Sequence, residues 1–305
     1  MTMTKKLSLN KEPSAKVVPL TKEIGAEIHG VDLSKPVSKE LFAIIYQAWL
    51  DHLVLLLRDQ SLTDLQMIEF SQHFGNLDLA PIPGHGRAFV EDIPEMFVIS
   101  NVVEDGYKIG SLGDGECLWH TDMAWTPVPA KASCLYALEV PKTEGDTGFL
   151  NMYTAYETLP QELRARIKGR TIKHDTQYTL DGLDRNGGPP LEEAIASSTF
   201  NVASIPGVSH PIIRTHPETG RKALYIGRRQ NTYVNGLPVS DSEVLLDELW
   251  SHADSRGKVT LHHRWQVGDL MIWDNRCVMH RRDAFSSHAR RIMHRTQIQS
   301  DLAPA

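Results

Sequence analysis

Short strand-like segments recur along this chain of 305 residues, and they constrain its possible folds more than any other feature. They combine aliphatic, β-branched and aromatic residues and are bounded by Gly, Pro, Asn and Asp, as strands usually are. They do not alternate regularly with helices, which disfavours a parallel α/β sheet. We predict a mainly β protein with α-helices, a double-sheet β architecture with helices packed outside. The predicted strands include residues 53–58, 97–100, 133–138, 224–226, 259–262, 269–273 and 292–298.

Helical periodicity and capping signals predict four helices. Three of them open with a capping box, in which Ser or Thr is followed three residues later by Gln or Glu. The predicted spans are 38–50, 63–74, 154–167 and 240–253.

The chain has no internal repeat or low-complexity tract, so we predict one catalytic domain over residues 16–305, preceded by a flexible tail at 1–15. Residues 180–208 lack periodicity and are rich in Gly, Pro, Asn and Ser. A loop of this length in a compact domain is usually either functional or disordered. We predict an active-site lid near 180–208.

Composition narrows the class of protein and its partners. A hydrophobic content of 41% and a charged content of 23% are ordinary for a soluble globular protein. The net charge of −6 argues against a nucleic-acid-binding surface, although a local basic pocket for a small anion remains compatible with it. Three cysteines without a C-x-x-C pattern suggest free thiols, and neither a signal peptide nor an apolar run of membrane-spanning length is visible. We predict a cytoplasmic protein without a membrane or nucleic-acid partner.

Two histidines and one aspartate carry the strongest chemical signal. His120 and Asp122 are separated by one residue, and His280 lies far downstream. Such a set can occupy one face of an octahedral metal ion and leave the opposite face open, as in non-haem Fe(II) oxygenases. On a strand, residues i and i+2 point to the same face, so His120 and Asp122 would converge. On a helix they would be separated by roughly 200°.

The His-x-Asp pattern is weak when it is taken alone. With 14 histidines in the chain, chance supplies about one such pair. The alternative is a partly buried, hydrogen-bonded histidine beside a surface aspartate. Trp119 and Trp125 flank the pair and favour an extended, half-buried segment, which supports the metal-binding alternative.

Two arginines follow His280 on a predicted strand, Arg291 and Arg295. Either the isoleucine face of this strand is core and the arginines are solvated, or one or both arginines lie in a pocket. A guanidinium in a pocket binds a carboxylate through two parallel hydrogen bonds. Four residues along a strand span roughly 13 Å, too far for both arginines to hold one carboxylate end-on. The hydroxyl of Thr147 is a candidate partner for the same carboxylate.

The sequence resembles the taurine/2,4-dichlorophenoxyacetate dioxygenase family of Fe(II)- and 2-oxoglutarate-dependent oxygenases. The resemblance extends from about residue 16 to residue 298, with the motifs in matching order and spacing. The stretches that carry it are Trp119-His120-Thr121-Asp122, Glu144-Gly145-Asp146-Thr147, Gly268-Asp269-Leu270-Met271-Ile272-Trp273-Asp274-Asn275-Arg276, His280, and Arg290-Arg291 through Arg295.

The resemblance implies a double-stranded β-helix (jelly-roll) fold and assigns roles to the candidate residues. His120, Asp122 and His280 would be the iron ligands. Arg291 and Thr147 would hold the distal carboxylate of 2-oxoglutarate. Arg295 would lie nearer the metal and face either the substrate anion or the other end of the cofactor. Relatives commonly form dimers or tetramers, so a homo-oligomer is expected.

The resemblance also implies the reaction. Three protein ligands and a bidentate 2-oxoglutarate leave one coordination position on Fe(II) for O2. The products are succinate, CO2 and a hydroxylated substrate, and a carbon that carries an ether oxygen or sulfur would then lose that substituent. Asp122 favours hydroxylation, because the halogenases of this superfamily lack the carboxylate ligand.

The substrate is less firmly indicated. Taurine-specific relatives carry a histidine just after the segment that corresponds to residues 74–77, whereas the nearest histidine here is His85. Residues 99–102, 214–217 and 220–222 look more like the phenoxyalkanoate branch. We therefore predict a small organic anion, most simply an aryloxyalkanoate such as 2,4-dichlorophenoxyacetate. A sulfonate or alkylsulfate dioxygenase and a non-catalytic jelly-roll protein that binds a metal or ligand are the alternatives.

Several residues outside the metal triad are candidate substrate contacts, and for each the alternative is a solvated loop residue. They are His85, Arg87, Asn101 and Lys108, together with Arg295. The remaining histidines His216, His262, His263, His288 and His294 are expected to be structural or exposed.

Overall fold

The computed structural model describes residues 15–81, 88–179, 182–227, 230–254 and 260–305. The helices in these ranges are α1 (Lys39–His52), α2 (Asp64–Gln72), α3 (Met152–Glu157), α4 (Gln161–Ile167), α5 (Leu191–Ala196) and α6 (Val239–Asp254), with a 3₁₀ helix at Val202–Ser204. The strands are β1 (Lys16–Pro19), β2 (Ala26–His29), β3 (Val54–Leu57), β4 (Phe97–Ser100), β5 (Val103–Glu104), β6 (Tyr107–Lys108), β7 (Ser111–Leu112), β8 (Cys117–His120), β9 (Ala132–Glu139), β10 (Thr147–Asn151), β11 (Thr171–Asp175), β12 (Gly207–Pro211), β13 (Ile213–Thr215), β14 (Lys222–Leu224), β15 (Tyr233–Val234), β16 (Thr260–His263), β17 (Leu270–Asp274), β18 (Val278–Arg282) and β19 (Ile292–Ile298).

Two sheets form the body of the protein. The larger has eight strands in the order β1-β2-β3-β17-β9-β19-β4-β7, and the smaller has four in the order β16-β10-β18-β8. Most of the pairings are antiparallel, with β2–β3 and β4–β7 parallel. Strands that are distant in sequence are neighbours, since β17 lies between β3 and β9. The prediction of a mainly β protein with a few helices is confirmed.

The core has two layers, one on each face of the larger sheet. Between the two sheets, Leu56 and Trp273 belong to the same buried cluster as Phe149 of the smaller sheet. On the other face, Leu55 packs in a second cluster with Trp49 of α1. Burial of both faces explains why β3 reads as an uninterrupted apolar run rather than as an alternating one.

Two of the four predicted helices begin at their predicted caps, whereas α6 begins at Val239, so its predicted cap Ser240 lies inside the helix. Ser38 caps α1, and Thr63 forms the predicted capping box with Gln66 at the start of α2. The single helix predicted over 154–167 is wrong. Asn151 caps α3, and Pro160 separates α3 from α4 because proline cannot supply the backbone N–H that a continuous helix requires.

The predicted tail at 1–15 falls almost entirely outside the described residues. Of the predicted lid near 180–208, residues 182–208 are described and contain α5 and the 3₁₀ helix. The lid and the single catalytic domain over 16–305 stay predictions. Within the described ranges, every helix is too short or too polar to cross a membrane.

Candidate active site

The smaller sheet brings the two candidate histidines together. His120 ends β8, and it pairs in register with His280 of the neighbouring strand β18. Asp122 does not lie on the strand, contrary to the expectation from the His-x-Asp spacing. It follows the end of β8, in a turn where Met123 has a positive φ of 57°. The turn, rather than strand alternation, directs the carboxylate back toward both histidines.

The three side chains form a compact donor set. The carboxylate oxygens of Asp122 lie 3.8 Å from Nε2 of His120 and 3.8 Å from Nε2 of His280. All three residues are buried, and one potential ligand atom from each lies within 4.8 Å of the others. Two imidazoles and one carboxylate on one side of a cavity are the donor set of non-haem iron sites. The residues therefore fit a divalent iron ion.

A backbone contact favours the tautomer of His120 that metal binding requires. Its Nδ1 lies 2.7 Å from the carbonyl oxygen of Leu118. If Nδ1 carries the proton and donates it there, the lone pair of Nε2 points toward Asp122. Burial, followed by the charge of His120, lowers the pKa of His280 to about 3, although Asp122 acts in the opposite direction. His280 is therefore neutral at ordinary pH, as a metal ligand must be.

A chain of buried hydrogen bonds holds the carboxylate of Asp122. Ser133 donates to Oδ2 over 2.8 Å, and the side-chain amide of Asn275 donates to the Ser133 hydroxyl over 3.0 Å. The indole of Trp273 in turn donates to Oδ1 of Asn275 over 2.9 Å. Burial alone would raise the pKa of Asp122, but Arg295, the two histidines and Ser133 together hold it well below its usual value. The carboxylate is thus ionised and fixed in direction.

Arg295 lies beside the donor set. Its Nη1 is 3.3 Å from Oδ1 of Asp122, and its guanidinium lies 4.8 Å from the ring centre of Phe97. Nε of Arg295 is buried and has no hydrogen-bond partner among the described residues. The alternative of solvated arginines on β19 is wrong for this residue, because its side chain is only 11% exposed.

Arg291 and Thr147 occupy a neighbouring buried region. Arg291 is 2% exposed, which also contradicts the solvated alternative, and burial lowers its pKa to about 9 with Arg282 as the next cause. Nε of Arg291 has no partner in the part of the chain that the structure describes. The Thr147 hydroxyl accepts a hydrogen bond of 2.9 Å from the indole of Trp265. Arg291 is thus a buried cation whose guanidinium is not fully satisfied by the protein.

A cavity of about 680 Å³ opens onto the donor set. His120, Asp122 and Arg295 line its floor. Of the predicted substrate contacts, Asn101 and Lys108 line it as well, whereas His85 and Arg87 lie outside the described residues. Its other lining side chains include an apolar group formed by Phe97, Leu112, Met123, Trp125, Tyr178 and Leu183.

Sequence reasoning missed three residues around the site. Ser133 carries no local signal, since an isolated serine in an apolar strand is unremarkable. Asn275 stands in a stretch that carries the family resemblance, but its partner Ser133 is 142 residues away. Arg282 follows His280 by two residues and is also buried. Strand alternation, applied to Arg282, would have predicted that it faces the same side as His280.

Sequence comparisons with known proteins point to the same class of enzyme as the donor set does. The family described as "Taurine catabolism dioxygenase TauD, TfdA family" matches residues 16–297. The alpha-ketoglutarate-dependent 2,4-dichlorophenoxyacetate dioxygenase of Cupriavidus pinatubonensis is 34% identical over 93% of this chain and 97% of its own length. The (S)-phenoxypropionate/alpha-ketoglutarate-dioxygenase of Sphingobium herbicidovorans is 32% identical over 95% and 97%. An alkylsulfatase of Acinetobacter baylyi is 32% identical over 86% and 77%.

Solved structures agree as well. A taurine dioxygenase from Burkholderia xenovorans superposes with a TM-score of 0.75 at 32% identity, covering 96% of this chain and 91% of that one. AAD-2, solved in complex with Mn(II) and N-oxalylglycine, gives a TM-score of 0.75 at 26% identity over 96% and 100%. The predicted enzyme class and its cofactors Fe(II), 2-oxoglutarate and O2 are confirmed. The chain belongs to the TauD/TfdA family of dioxygenases that depend on 2-oxoglutarate, also called alpha-ketoglutarate.

Proposed function

We propose that this enzyme hydroxylates an aryloxyalkanoate, of which 2,4-dichlorophenoxyacetate is an example, and thereby cleaves its ether bond. The observation that carries the proposal is a cavity whose lining combines a cationic side chain with apolar and aromatic side chains. Arg295 provides a buried cation beside Asp122, and Phe97, Trp125 and Leu183 provide apolar and aromatic lining. A carboxylate joined to an aromatic ring through one carbon atom and an ether oxygen is complementary to both features.

Different side chains would bind the metal, the co-substrate and the substrate. His120, Asp122 and His280 would hold Fe(II), and Arg291 with Thr147 would bind the distal carboxylate of 2-oxoglutarate. When bound, Fe(II) with 2-oxoglutarate and O2 supplies the oxidation of a substrate C–H bond to C–OH, with release of succinate and CO2. Ser133 keeps the carboxylate of Asp122 in one orientation through its 2.8 Å hydrogen bond.

Arg295 selects which carbon is oxidised. Its Nη1 is 3.3 Å from Oδ1 of Asp122, so a substrate carboxylate bound to this guanidinium brings its own α-carbon next to the metal ligands. In an aryloxyalkanoate that carbon also carries the ether oxygen. Once this carbon is hydroxylated, its bond to the ether oxygen breaks as the new hydroxyl loses its proton and becomes a carbonyl group. A phenol, which keeps the ether oxygen and takes up a proton, and a 2-oxo acid are released. Asn101 and Lys108 line the same cavity and would contact the substrate outside this centre.

Three further expectations accompany the proposal. The two packed sheets would form the double-stranded β-helix (jelly roll) of the family, with residues 182–208 as part of the lid. The enzyme would act as a homo-oligomer in the cytoplasm. Its three described cysteines are buried free thiols, which fits a reducing compartment.

A succinate-release screen tests the proposal. The purified protein with Fe(II), 2-oxoglutarate and air is offered phenoxyacetates, phenoxypropionates, sulfonates and alkyl sulfates. We expect succinate and free phenol from the aryloxyalkanoates, together with a weak visible absorption band when 2-oxoglutarate and Fe(II) are added without oxygen. Absence of the band, and of succinate with every acid, would contradict the proposal.

The same screen decides between the alternatives. The similarity to an alkylsulfatase favours, as a second candidate, a dioxygenase that acts on sulfonates or alkyl sulfates, since Arg295 would bind a sulfonate oxygen as readily as a carboxylate. Succinate release with sulfur acids alone would establish that candidate. The predicted alternative of a non-catalytic binding protein is wrong, because the family match shows an enzyme. Asp122→Ala tests the metal site itself. If metal binding were unchanged in this variant, Asp122 would not be a ligand.

A further inference from the structure

Arg282 on β18 is, after Arg291, a second buried arginine near the metal site. Arg282 is the last residue of β18, two residues after His280, and alternation along the strand gives the two side chains the same face. In the antiparallel pairing of β10 with β18, Arg282 stands directly opposite Thr147, and His280 stands opposite Phe149. Arg282 and Thr147 are therefore neighbours on the inner face of the smaller sheet.

Arg282 and Arg291 share one aromatic contact. The guanidinium of Arg282 lies 5.4 Å from the ring centre of Phe285, and that of Arg291 lies 5.9 Å from it. Both residues are buried, with exposed fractions of 6% and 2%. The two buried cations are close enough to repel each other, and Thr147 is the cross-strand neighbour of Arg282.

These two cations have no direct ion-pair partner among the described residues, although Asp114 lies close enough to Arg282 to interact with its charge. Nε of Arg282 and Nε of Arg291 are both buried and unpartnered among the described residues. No described carboxylate forms an ion pair with either guanidinium within 4.0 Å. A buried charge is costly unless it is paired, and two adjacent like charges add their mutual repulsion. An anion bound between them would offset both costs.

We propose that Arg282 is a second binding residue for the distal carboxylate of 2-oxoglutarate, acting beside Arg291 and Thr147. This inference rests on the proposed function, which makes 2-oxoglutarate the co-substrate. Its carboxylate has two oxygen atoms and about four lone-pair positions, enough for donors from two guanidiniums and one hydroxyl. Arg282 therefore strengthens and orients the end of the co-substrate that lies away from the metal.

Arg282 also links the co-substrate to the substrate cavity. Its Nη2 donates to the backbone carbonyls of Leu112, over 2.9 Å, and of Gly115. Leu112 and the intervening Gly113 and Asp114 line the cavity. A purely structural role for Arg282 would be to hold this loop, and its loss would then weaken substrate binding without affecting 2-oxoglutarate. The two roles differ in which ligand they affect.

Binding measurements with two oxo acids test the assignment. The Fe(II)-loaded protein is titrated without oxygen, by calorimetry, with 2-oxoglutarate and with 2-oxopentanoate, which has the same chain length but no distal carboxylate. We expect Arg282→Met to weaken 2-oxoglutarate binding by about 10- to 100-fold, the usual range for hydrogen bonds to a charged group. The dissociation constant for 2-oxopentanoate should not change. Arg282→Lys keeps the positive charge but loses the planar guanidinium with its paired N–H donors. It should weaken the binding of 2-oxoglutarate less than Arg282→Met does, and leave the binding of 2-oxopentanoate unchanged.

Arg281→Met is the matched control. Arg281 lies on the same strand but points to the opposite face, where its guanidinium contacts Glu116 and Asp283. It should bind both oxo acids like the wild type. Equal weakening of both acids by Arg282→Met, or no weakening of either, would overturn the proposal. If the wild type bound neither acid, the proposed function itself would fail. Should Arg282→Met not fold, Arg282→Lys carries the same comparison.

Discussion

Among the described residues, two buried clusters offer the same kind of metal-binding side chains, but they differ in how well they fit a metal ion. Each cluster contributes three potential ligand atoms within 4.8 Å of one another, and every member is buried. The first cluster is His120, Asp122 and His280, and the second is His216, Asp274 and Cys277. Residue type, burial and proximity therefore do not distinguish them.

The carboxylate of the second cluster is already satisfied by an arginine. Arg276 donates to both oxygens of Asp274, from Nε and from Nη2, over 2.8 Å each. His216 contacts Oδ2 at 3.1 Å. Burial alone would raise the pKa of Asp274, but Arg276 and then His216 lower it below its usual value. The lone pairs that a metal would need are therefore used within the protein.

The carboxylate of the first cluster keeps its lone pairs accessible. Ser133 donates to one oxygen of Asp122, and Arg295 approaches the other only to 3.3 Å, through a single nitrogen. The cluster borders the 680 Å³ cavity, whereas the second cluster does not line it. The comparison teaches that the partners of the carboxylate and its access to a cavity distinguish a metal site from a buried ion pair. The same residue types are present in both.

Removing Asp274 should have the largest effect on stability. Asp274→Ala leaves the guanidinium of Arg276 buried and without its main partner, a change that costs about 3–5 kcal/mol in comparable ion pairs. We expect the free energy of unfolding, measured by denaturant titration, to fall by this amount. The variant should still bind one metal ion per chain. A drop from two bound ions to one would show that the second cluster is a metal site after all.

Removing Ser133 should have a smaller effect, and on the other cluster. Ser133→Ala deletes the hydrogen bond that orients Asp122, and such supporting contacts are worth about 10- to 100-fold in metal affinity. A titration of Fe(II) or Mn(II) into the metal-free protein measures the change. The control is Ser71→Ala, another fully buried serine, whose hydroxyl bonds to Met67 and Thr296 instead. Equal affinities for the two variants would contradict a positioning role for Ser133.

The fold was largely predictable because local patterns reflect burial. The continuous apolar run at β3 predicted a buried strand, and residues 269–273 were predicted as a strand; both lie inside the larger sheet. The prediction of a single helix over 154–167 was wrong in two ways. The helix begins earlier, because Asn151 rather than Thr154 is its cap, and it is interrupted at Pro160. The order of strands in the sheets was not predictable, since β17 and β3 pair across more than 200 residues and spacing carries no information on register.

The site was predictable where a residue type is itself diagnostic. The meeting of His120, Asp122 and His280 in one cluster was predictable from their types and order, although the argument that put Asp122 on a strand was wrong. Ser133 could not be identified, because its role depends on the turn after β8 and on a strand pairing that aligns β9 with β17. The pairing of strands that are distant in sequence determines which serine lies close enough to donate a hydrogen bond to Asp122.

The smallest predicted effect concerns the turn that carries Asp122. His210 on β12 is 3% exposed, and its Nε2 lies 3.1 Å from the carbonyl of Ala124 and 3.0 Å from that of Thr126. Burial lowers the pKa of His210 below 6.5, although the two carbonyls act in the opposite direction. The folded state therefore binds this proton less readily than the unfolded state. The stability that the neutral imidazole confers is complete above about pH 6.5 and is lost as the pH falls, by at most about 1.4 kcal/mol per pH unit.

His210→Gln removes this titration and keeps a side-chain N–H for one carbonyl. The difference in unfolding free energy between the wild type and His210→Gln, measured without metal, should shrink as the pH is lowered from 7 to 5. The control is His262→Gln, the same substitution at an exposed position on β16. A constant difference for His210→Gln would mean that the imidazole takes up its proton without leaving the carbonyls of Ala124 and Thr126. In that case the turn that carries Asp122 would be held equally well by the charged and the neutral form.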